Sequence, residues 1–271
     1  MSHLQLKGRR VYYEIHGEGP TIILLHNATG STRDWRFLIP RLVAAGYQVI
    51  AYDRPGFGRS DPVPHWPLDY LRQDRDDLIA LMETLDVRQA ALVGNSDGAT
   101  ISLLAAASGR AGVVLVVAES PHMWYERESL AHGFRRFHET LEQDPRFIKT
   151  MRRAHGNRAD EVIRRWKERW LDPAFFAWDE SEALDAIQCP VLIIHGMQDP
   201  FFPVSHSQQI ANNLRDATLW LWPEVGHTPH LQRPDVYADH VIQFIDDNRR
   251  EYEYIFNPDR ARGDPLSRTS W

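Results

Sequence analysis

The stretch Ala91-Leu92-Val93-Gly94-Asn95-Ser96-Asp97-Gly98-Ala99 constrains this chain more than any other. An apolar run ends in a glycine, a serine stands two residues on, and a second glycine stands two beyond that. Residues 99–107 then read as an alanine-rich helix. Strand, G-x-S-x-G, helix is the arrangement of a nucleophile elbow. The reason is steric. The chain turns so sharply at the serine that side chains two before and two after it would collide. The hydroxyl is lifted above the sheet, beside the positive N-terminus of the following helix. The plainer reading is a serine in an ordinary βα turn, and the flanking strand and helix favour the elbow.

A chain of 271 residues has room for one large α/β domain, with or without an insertion. Its 43% hydrophobic content supports a substantial core. The net charge of −6 gives no reason to expect nucleic acid or an anionic membrane surface as a partner. Cys189 is the single cysteine, so no internal disulfide can form. The first residues carry no signal-peptide apolar region, and no apolar run approaches the roughly 20 residues of a membrane span. The expectation is a cytoplasmic protein.

The order of elements follows from periodicity. Residues 4–16 alternate around a turn at Lys7-Gly8-Arg9, which predicts a β-hairpin. Residues 21–25 are continuously apolar, as in a strand buried on both faces. A polar loop, 26–31, precedes a helix that closes at Gly46. A strand follows at 47–52, then the turn-rich segment Asp53-Arg54-Pro55-Gly56-Phe57-Gly58-Arg59-Ser60-Asp61, and a helix over about 69–85. The elbow strand and helix come next, then a strand at 113–117. This alternation predicts a parallel sheet covered by helices on both faces, with ligand chemistry at the carboxyl ends of the strands. From 121 to 188 the rhythm breaks into amphipathic helix rich in aromatic residues, read as a cap inserted over the sheet. Most of those aromatics are expected to form the cap's own core, with Trp124 and Tyr125 the ones to reach a pocket. The α/β pattern resumes with strands at 190–194 and 217–222, a helix near 204–214 and a last helix after Arg233-Pro234. The core is thus 1–120 with 189–250, and 251–271 is a polar tail. Its Arg262-Gly263-Asp264 spells an adhesion tripeptide, for which chance is the better explanation.

A serine hydroxyl at neutral pH needs a general base in reach, and the base needs an orienting carboxylate. Two later strand ends supply them: His195-Gly196-Met197-Gln198-Asp199-Pro200, and Pro223-Glu224-Val225-Gly226-His227-Thr228-Pro229-His230. The favoured set is Ser96, Asp199 and His227, in the chain order Ser…Asp…His. His230 and His195 compete for the base and Glu119 for the acid, whereas Glu224 reads as a solvated loop residue. An oxyanion would need two backbone donors. The N–H of Asp97 and one from the 26–31 loop, Ala28, are the candidates. The Asp97 carboxylate beside an oxyanion must be turned away or neutralised. Either it pairs with a neighbouring loop residue, or it contacts a cationic or hydroxylated group on a substrate. No metal motif appears: His138-Glu139-Thr140-Leu141-Glu142 lacks the second histidine of H-E-x-x-H.

Taken together, the 26–31 loop, the 53–60 segment, the 94–98 elbow, His195-Gly196 with Asp199-Pro200, and Gly226-His227 resemble the α/β-hydrolase superfamily over nearly all of residues 10–248. The resemblance implies an eight-stranded, mostly parallel sheet, a helical cap after the sixth strand and acyl-enzyme chemistry without a cofactor. Dehalogenase and epoxide-hydrolase relatives place an aspartate at the elbow apex, where this chain has Ser96. The Gly-Asn-Ser run is similar to that of hydrolases of aromatic ring-cleavage products. Those carry a second glycine after the elbow and a tryptophan after the histidine, where this chain has Ala99 and Thr228. The Ser-Asp-Gly run is similar to that of small-ester hydrolases, including those acting on amino-acid esters. Asn27 stands where the superfamily usually has glycine; asparagine tolerates positive φ, and its side chain can enter the site. The leading expectation is a serine hydrolase of a small to medium carboxylic ester or lactone, with Asn27, Trp124 and Tyr125 touching the substrate. Carbon–carbon hydrolysis of a vinylogous diketone is the first alternative. A non-catalytic ligand-binding receptor on the same fold is the second.

Overall fold

The computed structural model describes residues 2–125 and 127–256. Eight strands form one sheet: β1 (Ser2–Leu6), β2 (Arg9–His16), β3 (Thr21–Leu25), β4 (Gln48–Tyr52), β5 (Ala90–Asn95), β6 (Val113–Glu119), β7 (Val191–Gly196) and β8 (Ala217–Trp222). Their spatial order is β1-β2-β4-β3-β5-β6-β7-β8. The β1–β2 and β2–β4 pairs are antiparallel, and every other pair is parallel. The chain steps one way from β3 to β4, then crosses back to the other side of β3 for β5. The loops leaving β3 and β5 therefore diverge over a shared crevice, the place where open α/β sheets bind ligands.

The continuous apolar runs are explained by the two layers of helix. Along β3, Ile23 and Leu25 enter the core on one face of the sheet, while Ile22 and Leu24 enter the core on the other. Helices α1 (Leu38–Ala44) and α9 (Pro234–Phe256) cover the second face through Leu38, Leu42, Tyr237, Val241 and Ile245. On the first face lie α2 (Tyr70–Thr84) and α3 (Asp97–Ala107). Residues 97–105 of α3 are all buried, which is why that helix reads as apolar on every side.

Between β6 and β7 the described chain is helical: α4 (Arg127–Leu141), α5 (Pro145–His155), α6 (Ala159–Trp170) and short 3₁₀ turns. Asp144 and Asp172 each cap the start of a helical turn, and a proline follows each. This segment is held to the body by cations donating to backbone carbonyls. Arg158 reaches Gly58 O and Ser60 O, Arg165 reaches Gly56 O, and Arg169 reaches Trp66 O, at 2.6 to 3.1 Å. His155 completes the contact: its Nδ1 accepts from Gly58 N–H and its Nε2 donates to Thr29 O.

Helices α7 (Val204–Asn213) and α8 (Pro229–Gln232) flank β8. The polar composition after residue 250 does not end the last helix, because α9 continues to Phe256. The rest of the 251–271 tail, with Arg262-Gly263-Asp264, lies outside the described residues. No described helix is long and apolar enough to cross a membrane.

The elbow is where backbones come closest. A Cβ on Gly94 would sit 2.2 Å from Gly98 O, and one on Gly98 would sit 2.1 Å from Leu25 O. Both obstacles are backbone and cannot rotate aside. Gly98→Ala should therefore destabilise by about 3 kcal/mol or more, at the upper end of overpacking effects, as read from the midpoint of urea denaturation.

Candidate active site

Ser96 adopts φ 56°, ψ −119°, a strained conformation for a residue with a side chain. Its neighbours hold it there. Ser96 N–H donates to Glu119 O at 2.8 Å, and its own carbonyl accepts from Ala99 N–H and Thr100 N–H. The strain thus sits between β6 and the first turn of α3. The serine is buried, yet it lines a cavity of about 460 Å³ between the sheet and the helical segment.

His227 lines the same cavity. Its Nδ1 lies 2.7 Å from Asp199 Oδ2, and the Asp199 carboxylate is buried. Asp199 Oδ1 accepts from the N–H groups of Phe201 and Phe202, so the turn after β7 fixes the acid. Burial pushes the Asp199 pKa up, but His227, His195 and the Phe201 N–H outweigh it and hold the group below its ordinary value. Burial alone would lower His227, but the attraction of Asp199 and its hydrogen bond prevail, with Glu119 and Asp97 adding to them. The imidazole is raised above its ordinary value.

The competing groups are committed elsewhere. Glu119 is buried and holds His230, whose Nδ1 lies 2.9 Å from each carboxylate oxygen and whose backbone N–H also donates to it. His230 stacks on Trp35 at 4.5 Å. His195 donates from Nε2 to Phe202 O and accepts the Ser207 hydroxyl at Nδ1. A histidine with both nitrogens used in this way is neutral, and burial lowers its pKa accordingly.

Ala28, in the loop after β3, and Asp97, at the start of α3, both line the cavity. Neither N–H is taken up by a turn or cap partner among the described residues. Asn27 differs from expectation: it is not among the residues with positive φ. Its side chain is a strut. The Nδ2 donates to Asn95 Oδ1 at 2.9 Å, and the Oδ1 accepts from Thr29 N–H. Asn95 in turn donates to the carbonyl of His227 at 3.1 Å, as does the Ser120 hydroxyl at 3.2 Å. One chain of amides thereby joins the loop after β3, the elbow and the histidine loop. Sequence reasoning passed over Asn95 and Ser120, because nothing local distinguishes an amide that bridges three loops from one facing water.

Trp124 and Tyr125 do not line the cavity. Trp124 stacks on His206 at 4.0 Å, and the Tyr125 hydroxyl donates to Trp170 O while its ring stacks on Phe176. The apolar wall comes instead from Phe134, Phe147, Met151, Trp166, Trp170 and Phe201. Half of the ten aromatics of the helical segment, Phe134, Phe137, Phe147, Trp166 and Trp170, face the cavity, more than expected. Amphipathic spacing shows which face of a helix is apolar but not whether that face meets protein or empty space.

The Asp97 carboxylate is turned inward and fully buried. Its Oδ2 accepts from the Tyr70 hydroxyl at 3.0 Å and lies 3.6 Å from Arg54 Nη2, while Oδ1 is 3.3 Å from His122 Nε2. Arg54, also fully buried, forms a second ion pair with Asp74 and donates to Asn27 O. Burial raises Asp97, but His122, Arg54 and Tyr70 together hold its pKa below the usual carboxylate value. Burial wins at Asp74, which is pushed up to about 7 with Arg54 only partly offsetting it. The partners are therefore residues of α2 and of the loops after β4 and β6, and the carboxylate does not reach toward a substrate. Asp97→Ala should cost about 3–5 kcal/mol in chemical denaturation, since it strips one counter-charge from a buried guanidinium.

A profile of the Alpha/beta hydrolase family matches residues 16–240. The chain is 28% identical to the human (Homo sapiens) protein named Serine hydrolase BPHL over 251 residues, covering 89% of this chain and 84% of that protein. It is 27% identical to a 2-hydroxy-6-oxo-6-phenylhexa-2,4-dienoate hydrolase of Burkholderia cepacia, with 89% and 92% covered. Its fold is similar to that of a meta-cleavage product hydrolase from Pseudomonas fluorescens IP01, at TM-score 0.72 and 22% identity over 91% of this chain and 98% of that one. A strained serine and a histidine on one cavity wall, the histidine held by a buried aspartate, in a chain matched by the family over residues 16–240, make this protein a hydrolase of the alpha/beta hydrolase family.

Proposed function

We propose that the protein hydrolyses a small to medium carboxylic ester or lactone through an acyl-enzyme on Ser96. The observation that carries this reading is the 2.7 Å contact between His227 Nδ1 and a buried Asp199, opening onto the cavity that Ser96 also lines. Asp199 fixes the tautomer in which Nδ1 carries the proton and Nε2 is free to accept one. His227 takes the Ser96 hydroxyl proton as the oxygen attacks the carbonyl. The resulting oxyanion is met by the N–H groups of Ala28 and Asp97. As the tetrahedral species collapses, the carbon–oxygen bond to the leaving group breaks, and the imidazolium gives that oxygen its proton. Water then attacks the acyl-enzyme with His227 again as base, releasing the acid and restoring Ser96. No step calls on a metal or organic cofactor. The aromatic wall suits an acyl or alkoxy group of ring size.

Carbon–carbon hydrolysis is supported by the named dienoate hydrolase relative. A dienoate substrate carries a carboxylate, however, and no lysine or arginine is among the described residues lining the cavity. The ester reading is preferred on that ground.

A panel of p-nitrophenyl esters of increasing chain length tests the reading. Wild type should turn them over, and Ser96→Ala should lose on the order of 10⁴-fold or more in kcat. Turnover that is unchanged in Ser96→Ala would refute the role of Ser96. The raised pKa of His227 sets the acid limb of kcat/KM. Activity needs the neutral imidazole, so it should fall as pH drops through a value above the ordinary histidine value of about 6.5. Asp199→Asn removes the largest raising influence. It should shift that limb to lower pH and reduce kcat by about 10³ to 10⁴, both read from one pH–rate series.

A further inference from the structure

One acidic group on the cavity wall is left unused by the chemistry above. Asp34 stands in the short 3₁₀ helix Thr32–Arg36 that follows the 26–31 loop, and it lines the same cavity as Ser96 and His227. Its Oδ2 accepts the Ser31 N–H at 3.2 Å, completing a capping box with the Ser31 hydroxyl. Its Oδ1 has no hydrogen-bond partner among the described residues, yet it is not sealed from solvent as the buried orphan atoms are. Burial raises the pKa of Asp34, with His230, the Ser31 N–H and Arg36 pulling it down and Asp53 pushing it up. A carboxylate that is both deep and accessible is one that opens onto an internal space. Its position is fixed as well. Oδ2 lies 2.3 Å from where a Cβ on Gly30 would be, so the carboxylate nests against the loop that carries Ala28, and the next residue, Trp35, is clamped by His230.

The rest of the wall gives this oxygen no competitor. The other carboxylate at the cavity, Asp97, is spent on Tyr70, Arg54 and His122. No lysine or arginine among the described lining residues neutralises Asp34 from across the space. The aromatic rings of the helical segment line the same cavity, and their faces also attract a cation.

We propose that Asp34 is a specificity-determining residue whose free carboxylate oxygen receives a protonated amine on the substrate, while the aromatic wall takes the substrate's apolar body. The proposal rests on the ester-hydrolase reading for its catalytic consequence but not for its binding consequence. It moves the cation-recognising role away from Asp97, where the sequence alone offered it.

Two measurements test it on wild type and Asp34→Asn. The asparagine can still accept from Ser31 N–H, and equal thermal midpoints confirm that the fold is kept. The first measurement is the affinity for 4-phenylbutylamine against 4-phenylbutanol, followed through the fluorescence of Trp166 and Trp170 or by calorimetry. Wild type should bind the amine at least about tenfold tighter than the alcohol, and the preference should vanish in Asp34→Asn. The second is kcat/KM for a matched pair of p-nitrophenyl esters, one with a terminal amine on the acyl chain and one without. The amine-to-neutral ratio should fall about tenfold in Asp34→Asn through KM. An amine preference that is absent in wild type, or that survives in Asp34→Asn, overturns the proposal. Amine-selective binding without turnover of either ester instead sinks the ester reading and leaves the role of Asp34 standing.

Discussion

The close approach of backbone to backbone at the elbow is the constraint on which the rest depends. Gly94 and Gly98 let β5, the start of α3 and the end of β3 come within distances that no side chain would permit. That contact forces Ser96 to positive φ and lays the 26–31 loop against it. A strained turn costs of order 1–3 kcal/mol and persists only where its surroundings over-determine it. Here the surroundings are a β6 carbonyl on one side and the first turn of a fully buried helix on the other. The strain is carried by the sheet and not by the loop itself.

Around that turn, polar side chains set the alignment. The Asn27–Asn95–His227 carbonyl chain sets the spacing of three loops that are far apart in sequence. The 53–60 segment has a related role in the next layer out. Asp53 accepts the N–H groups of Thr32 and Arg59, and Ser60 accepts that of Tyr12. Arg54 turns inward between Asp74 and Asp97. Buried charges of this kind are weak evidence for stability, since desolvation opposes their attraction. Their effect here is to choose one orientation for the Asp97 side chain, turned onto Tyr70, Arg54 and His122.

Much of the fold was legible in the sequence because its signals are local. Continuous apolar runs bounded by polar turns marked the parallel strands, and the burial of alternate residues in two cores explains why the runs are unbroken. The order of Ser96, Asp199 and His227 could be read off because each stands just after a strand, and a parallel sheet gathers all strand ends to one edge. The cavity wall was not legible. Trp124 and Tyr125 stand in the loop after β6, yet they pack into the body, while residues from α4, α5 and α6 enclose the space. Asn27 lines the cavity as its expected side-chain role requires, but only the structure shows that side chain bonded to Asn95 and Thr29.

The sequence by itself determined the sheet, the elbow and the identity of the acid, base and nucleophile candidates. These follow from steric limits at glycine, from periodicity and from chain order, all of which act within a few residues. Only the tertiary structure decided how the acids divide their labour. Glu119 goes to His230, Asp199 to His227 and Asp97 to Arg54, Tyr70 and His122, leaving Asp34 with a free oxygen on the cavity wall. A carboxylate's role depends on which opposite charge or donor lies within hydrogen-bond distance and on how much water reaches it. Both are set by segments remote in sequence, and no local pattern records them.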